Sequence, residues 1–214
     1  MRRGLFITFE GGEGAGKSTQ IRHLARWFAE RGRQTTVTRE PGGTPLAEAV
    51  RGVLLGGAGT PDAVTQTLLF AAARRDNVLN VIRPAMAAGQ VVLCDRFADS
   101  TRAYQGGKLP DADIEATIRL ATDGLVPDLT LLLDLPPEIG LARARRRGTA
   151  ADRFENDELA FHEGVRARFL ALAKAEPARF AVMDGAMAEE ALAAAIAAVV
   201  ESRLGARIAG SSAP

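Results

Sequence analysis

Apolar residues in this chain tend to fall in short unbroken runs rather than in alternation. Leu5 to Phe9, Val91 to Cys94, Leu129 to Leu133 and Phe180 to Met183 are such runs, and Gln34 to Thr38 reads as a further β-prone segment. An unbroken apolar run suits a strand that helices cover on both faces. Between the runs, apolar positions recur at helical spacing. Ile21, Leu24, Ala25, Trp27 and Phe28 mark one helix, about 44–55 a second, and Leu192, Ile196, Val199 and Val200 a covering helix over 188–203. Residues 62–88 read as one long helix or two in succession, with Pro84 as a kink or boundary. Strand and helix alternate five times, which predicts an α/β fold with a doubly wound, five-stranded parallel sheet covered by helices. With no repeat and no linker, a single domain over 1–205 is expected, followed by a mobile small-residue tail, 206–214.

Composition narrows the class. The chain has 214 residues, 47% hydrophobic, with a net charge of +1. That length buries roughly 70% of the unfolded surface, and near-neutral charge argues against a nucleic-acid binder. The lone Cys94 excludes an internal disulfide framework or a cysteine zinc cluster and makes an intracellular setting the default. His23 and His162 are far apart in sequence, which argues against a histidine metal site. No apolar run approaches the roughly 18 residues of a membrane span. The run at Leu5 is too short for a signal peptide and is soon interrupted by Glu10, so a cytoplasmic protein is expected.

The first candidate chemistry is "FEGGEGAGKST". Gly11, Gly16, Lys17 and Ser18 satisfy G-x-x-x-x-G-K-[ST] between a predicted strand and a predicted helix, the context this motif requires. The loop Gly11, Gly12, Glu13, Gly14, Ala15 and Gly16 turns its N–H groups toward phosphate, and the helix beginning with Lys17, Ser18 and Thr19 adds its positive end. Lys17 would reach the β- and γ-phosphates of a bound nucleotide, and the Ser18 hydroxyl would ligate Mg²⁺; P-loops serve kinases, GTPases, ATPase motors and binding proteins alike, so the motif does not settle the reaction. The lysine is informative because only three lysines occur among 27 basic residues. No N-K-x-D guanine reader is present, and Asp95 is followed by Arg96 rather than by the second acid of a motor ATPase. Asp95 still ends an apolar strand and suits holding magnesium through water. Arg39, after the second strand, and Arg96, after the third, belong at the same carboxyl edge of the sheet, where two guanidinium forks suit a second phosphate.

"FEGGEGAGKST", "TREPGGT", "FAAARR", "DRFADSTRAYQGG" and "PDLTLLLDLPPE" occur in that order, and over about residues 4–204 the chain resembles the bacterial thymidylate kinase family. The resemblance implies a P-loop nucleoside monophosphate kinase fold and phosphorylation of dTMP to dTDP by Mg-ATP. It assigns Arg39 and Arg96 to the dTMP phosphate, Phe70 to stacking on thymine, Arg74 to the base edge and Glu13 to the sugar 3′-hydroxyl. Ser100 and Thr101 would lie against the base with Gln105 beside it, and Tyr104 would pack where a ribose 2′-hydroxyl needs room. Phe70 and Arg74 share a helix face at i, i+4. Phe97, at a position where relatives carry a polar residue, receives no role.

Some members of the family place an arginine inside the P-loop, where this chain has Gly14-Ala15. "LARARRRGTAADRFE" is the alternative supplier, a lid over about 144–156. Arg143, Arg147 and Arg153 are its candidates to neutralise the transferring group with Lys17 and Arg96, and the choice between Arg147 and Arg153 stays open. The family is usually a homodimer, and helices 44–55 and 62–88 are the candidate interface. Two rival readings remain: a kinase for another nucleoside or nucleotide acceptor, and a nucleotide-binding protein that transfers nothing.

Overall fold

The computed structural model describes residues 4–56, 61–146 and 159–209. The chain runs β1 (Leu5–Glu10), α1 (Lys17–Ala29), β2 (Thr35–Arg39), α2 (Pro45–Leu55), α3 (Ala63–Asn77), α4 (Arg83–Ala87) and β3 (Val91–Asp95). It continues through α5 (Ala98–Gln105), α6 (Asp111–Thr122), β4 (Leu129–Asp134), α7 (Pro137–Arg146), α8 (Leu159–Ala175), β5 (Phe180–Asp184) and α9 (Glu189–Ala209). The strands form one parallel sheet in the order β2-β3-β1-β4-β5. β1 is central because every one of its residues is buried, so it must be covered on both faces and flanked on both edges.

Alternation of side chains along β1 explains the two layers. Leu5, Ile7 and Phe9 pack with Leu24 and Phe28 of α1 and with Leu192, Ile196 and Val200 of α9. Phe6 points the other way, with Val92, Phe97, Ile114 and Ile118. Burying a large apolar side chain contributes about 1.5–3 kcal/mol, so the three β1 residues and five partners of this layer together outweigh any local propensity.

The 62–88 segment holds two α-helices in succession with the boundary beside Pro84, as expected, and they are joined without a break: α3 passes through a π-turn, Val78–Ile82, into α4. Pro84 has no N–H to donate to the turn before it. The widened turn absorbs that loss, and the Arg83 N–H reaches the Val78 carbonyl. Residues after Arg96, polar as they are, form α5. The C-terminal helix runs to Ala209 rather than ending at 203, so 206–209 are not a loose tail. Leu204 and Ile208 extend the stripe Leu192, Ile196, Val200 at intervals of four residues into the core, and Arg207 pairs with Asp128 at 2.7 Å.

Candidate active site

Parallel register places the functional strand ends side by side: Phe9 lies opposite Asp95, and Asp95 opposite Arg39. The strand order reverses direction at β1, and ligands of open α/β sheets bind outside the carboxyl ends at such a point. A cleft of about 280 Å³ opens there.

One wall is the glycine-rich loop. Gly14 has φ +66°, and a Cβ on it would strike the Gly140 carbonyl of α7, so only glycine brings the loop this close. Gly16 (φ +93°) turns the chain into α1, whose N-terminus has neither a side-chain cap nor an acidic residue in its first turn. Those N–H groups are left for an anion. Lys17 is buried and donates from Nζ to the carbonyls of Gly11 (3.1 Å) and Gly12 (2.9 Å). Burial, and then the charge of Arg96, lower its pKa from the ordinary lysine value. Ser18 Oγ donates to Asp95 Oδ2 at 2.9 Å. A hydroxyl and a carboxylate this close are hard oxygen donors, which fits Mg²⁺ better than a soft or nitrogen-seeking metal.

The opposite wall comes from α3 and α5. Glu13, Arg39, Phe70, Arg74, Arg96, Ser100, Thr101, Tyr104 and Gln105 all line the one cleft, together with Gly14 to Thr19 and Asp95. Gly11 and Gly12 contribute carbonyls behind it rather than lining it. Arg96 adopts φ +69°, a left-handed conformation that a non-glycine residue holds only where its surroundings impose it. From there its guanidinium donates to Gly11 O (3.2 Å), Ser100 Oγ (3.3 Å) and Glu13 Oε1 (2.5 Å), and lies 4.9 Å from the centre of the Tyr104 ring. These three bonds, among the described residues, fix the guanidinium between the P-loop and α5, where it lines the cleft. Tyr104 also donates to Glu13 Oε1, at 3.2 Å. Burial would raise the Glu13 pKa, but the charges of Arg96 and then Lys17 outweigh it and hold the carboxyl at about 2. Burial pushes the Tyr104 phenol well above its ordinary value, keeping it a neutral donor.

Arg74 is more committed than its expected role at a base edge suggests. It is 3% exposed and donates to Glu40 Oε2 (2.7 Å), Thr101 Oγ1 (3.0 Å) and Phe97 O (3.0 Å). Glu40 also accepts from Asn77, at 3.2 Å. Arg39 remains exposed, held by two 3.0 Å bonds to Glu48. Gln105 is buried, and its Nε2 has no hydrogen-bond partner among the described residues, leaving a free donor on a residue that lines the cleft.

The lid candidates fare differently. Arg143 donates to Gly185 O at 2.9 Å and does not line the cleft; Arg147 and Arg153 lie outside the described residues. Sequence reasoning missed Glu40, Arg51 and Leu55 of the lining, and Glu10 and Asn77 behind it. Arg51 was legible as the one basic position in α2, whereas Glu40 and Asn77 act through partners 34 and 37 residues away. His23 sits apart from the cleft, against Glu189 at 2.8 Å.

A parallel sheet ordered 2-3-1-4-5, a phosphate cradle at β1 and a second cationic pocket facing it define a P-loop nucleoside monophosphate kinase. The thymidylate kinase family model matches residues 9–196. The thymidylate kinase of Caulobacter vibrioides is 56% identical over 208 residues, covering 96% of this chain and 100% of that one. That of Bradyrhizobium sp. is 50% identical over 215 residues, covering 98% and 95%. The crystal structure of thymidylate kinase from Ehrlichia chaffeensis superposes with a TM-score of 0.75 at 33% identity, covering 92% of this chain and 99% of that one. The chain belongs to the thymidylate kinase family and is a phosphotransferase that phosphorylates dTMP.

Proposed function

We propose that the cleft binds ATP and dTMP together and transfers the γ-phosphoryl group in line to a dTMP phosphate oxygen, giving dTDP. The observation that carries this reading is Arg96. It rises from a strand end beside the P-loop, is bonded to Gly11 and Glu13 of that loop and to Ser100 of α5, and lines the cleft between them. No general base is required, since the acceptor phosphate is already anionic. Catalysis is then positioning and charge neutralisation. Lys17 moves from the loop carbonyls to the phosphates, and Arg39 joins Arg96 on the acceptor phosphate. Arg147 or Arg153 supplies lid charge, with Arg143 holding the helix before it against Gly185.

Ser18 directly, and Asp95 through water, would hold Mg²⁺. When bound, the ion neutralises phosphate charge. On the acceptor side, Phe70 stacks on thymine while Gln105, Thr101, Ser100 and Arg74 meet its edge. Glu13 takes the 3′-hydroxyl, and Tyr104, held by Glu13, fills the space of a 2′-hydroxyl. The reading is of a cytoplasmic enzyme that binds neither membrane nor nucleic acid; separately, no described helix is long and apolar enough to cross a membrane. Exposed apolar residues on α2 and α3 support a homodimer.

A coupled assay of ADP release across dTMP, dUMP, UMP, CMP, AMP and thymidine tests the reading. The expected order is dTMP first, dUMP well behind, and UMP behind dUMP because of Tyr104. Turnover of thymidine with dTMP inert would replace it with a nucleoside kinase. ATP and dTMP bound together without dTDP would indicate a binding protein.

A further inference from the structure

Glu10, the last residue of β1, is fully buried yet has no ion-pair partner within salt-bridge distance among the described residues. A carboxylate in that position is costly unless hydrogen bonds compensate it. Three do. Oε1 accepts from the backbone N–H groups of Phe97 (2.8 Å) and Ser100 (3.2 Å), and Oε2 accepts from Ser100 Oγ (2.6 Å). These N–H groups lie at the start of α5, whose N-cap residue, Phe97, supplies no side-chain cap of its own; that of Ser100 is shared with the Phe97 carbonyl at 3.1 Å. The cap therefore comes in trans, from a strand some 87–90 residues earlier. Glu10 also brackets Arg96: the preceding residue of β1, Phe9, accepts the Arg96 N–H at 2.9 Å while Glu10 takes the next N–H. The left-handed backbone of Arg96 is pinned on both sides by β1. Glu10 itself does not line the cleft.

We propose that Glu10 is a positioning residue for the acceptor half of the site, fixing the start of α5 and the turn that aims Arg96, so that the acceptor pocket is registered to the strand that leads into the P-loop. The proposal rests on the reading of α5 as the dTMP wall. The charged groups around Glu10 are Arg96, Asp99 and Lys17. Asp99 is held away from it by Arg102 (2.9 Å) and Arg179 (2.6 Å), so the two carboxylates grip the first turn of α5 without sharing a partner.

Glu10→Gln is nearly isosteric. Its carbonyl can still accept both backbone N–H groups, but its amide must now donate to Ser100 Oγ, which loses its acceptor. Ser100→Ala removes the same bond from the other end. The test is steady-state kinetics of wild type, E10Q, S100A and the double variant, each with dTMP and ATP varied in turn. The expected result is a KM for dTMP raised about 5–20-fold in E10Q, with KM for ATP within about twofold. S100A also removes the hydroxyl that accepts from Arg96, so the double variant should be no worse than about twofold beyond S100A, because the bond that E10Q disturbs is already gone. An unchanged KM for dTMP in E10Q, an equal rise in KM for ATP, or single effects that simply multiply would each overturn the proposal. Failure of the underlying assignment is distinguishable, because wild type itself would then not turn over dTMP.

Discussion

At the scale of single residues, the site is organised by which charges are allowed to persist in burial. Glu13 and Glu10, three residues apart, are pushed in opposite directions: Glu13 down to about 2 and Glu10 up to about 7. For Glu10 the cause is first desolvation and then Asp99, which the bonds from Ser100 and Phe97 only partly offset. A carboxyl whose folded pKa lies above its unfolded value of 4.5 binds more protons when folded, so stability falls as pH rises from 4.5 to about 7 and is level above that. At about 1.4 kcal/mol per unit, the penalty at pH 8 is roughly 3 kcal/mol. Glu10→Gln should therefore be more stable than wild type at pH 8, by up to that amount, and the gap should close by about pH 5. Urea or thermal unfolding of both proteins at the two pH values measures it, and a gap independent of pH would show that Glu10 does not titrate in this window. An enzyme that is destabilised by a carboxylate it retains is trading stability for a constrained site. Little of this was legible in the sequence. Glu10 reads as the acid that ends an apolar run, and the Glu40 partner of Arg74 reads as loop polarity, because what matters in both is a neighbour brought close only by the sheet.

Secondary-structure elements were more legible, and their errors have local causes. Four strands lie where apolar runs put them and β2 where the β-prone segment did, with ends extended by Glu10, Arg39, Asp95, Asp134 and Asp184. Those polar ends escape an apolar criterion yet carry the chemistry. α5 was hidden because its eight residues include Asp99, Ser100, Thr101 and Gln105, which look like loop but are held by Glu10, Asp99–Arg179 and the cleft. The end of α9 was lost in Glu201, Ser202 and Arg203, although Leu204 and Ile208 continue an i, i+4 stripe. That stripe is testable. Ile208 is 8% exposed and is the last residue of the core cluster that covers β1. Ile208→Ala should lower unfolding free energy by about 2 kcal/mol, the low end for a buried isoleucine at a helix end, without altering KM for either substrate. A loss below about 0.5 kcal/mol in a denaturant titration would mean that the last turn frays independently of the core.

For the whole molecule, motif order and strand order agreed because both express one constraint: a donor loop and an acceptor wall must meet at the carboxyl edge of a parallel sheet. What the chain does with its remaining surface is not fixed by that constraint. Leu46 and Val53 of α2, and Val64 and Leu68 of α3, are 57%, 48%, 53% and 57% exposed on two helices that pack against each other. Four large apolar side chains on adjacent helices form a surface that suits a self-complementary, two-fold contact with a second copy. The same two helices supply Arg51, Leu55, Phe70 and Arg74 to the cleft, so a partner packed on their outer face would stiffen the wall that holds the acceptor. Light scattering at tens of micromolar should give twice the 22.6 kDa chain mass for wild type, and Val64→Glu with Leu68→Glu should give a single chain. The monomer should remain folded, because all four positions are outside the core, but its KM for dTMP should rise several-fold while KM for ATP moves little. A wild type that is monomeric at that concentration would remove the interface. A monomeric variant with unchanged KM for dTMP would keep the interface and sever it from the site.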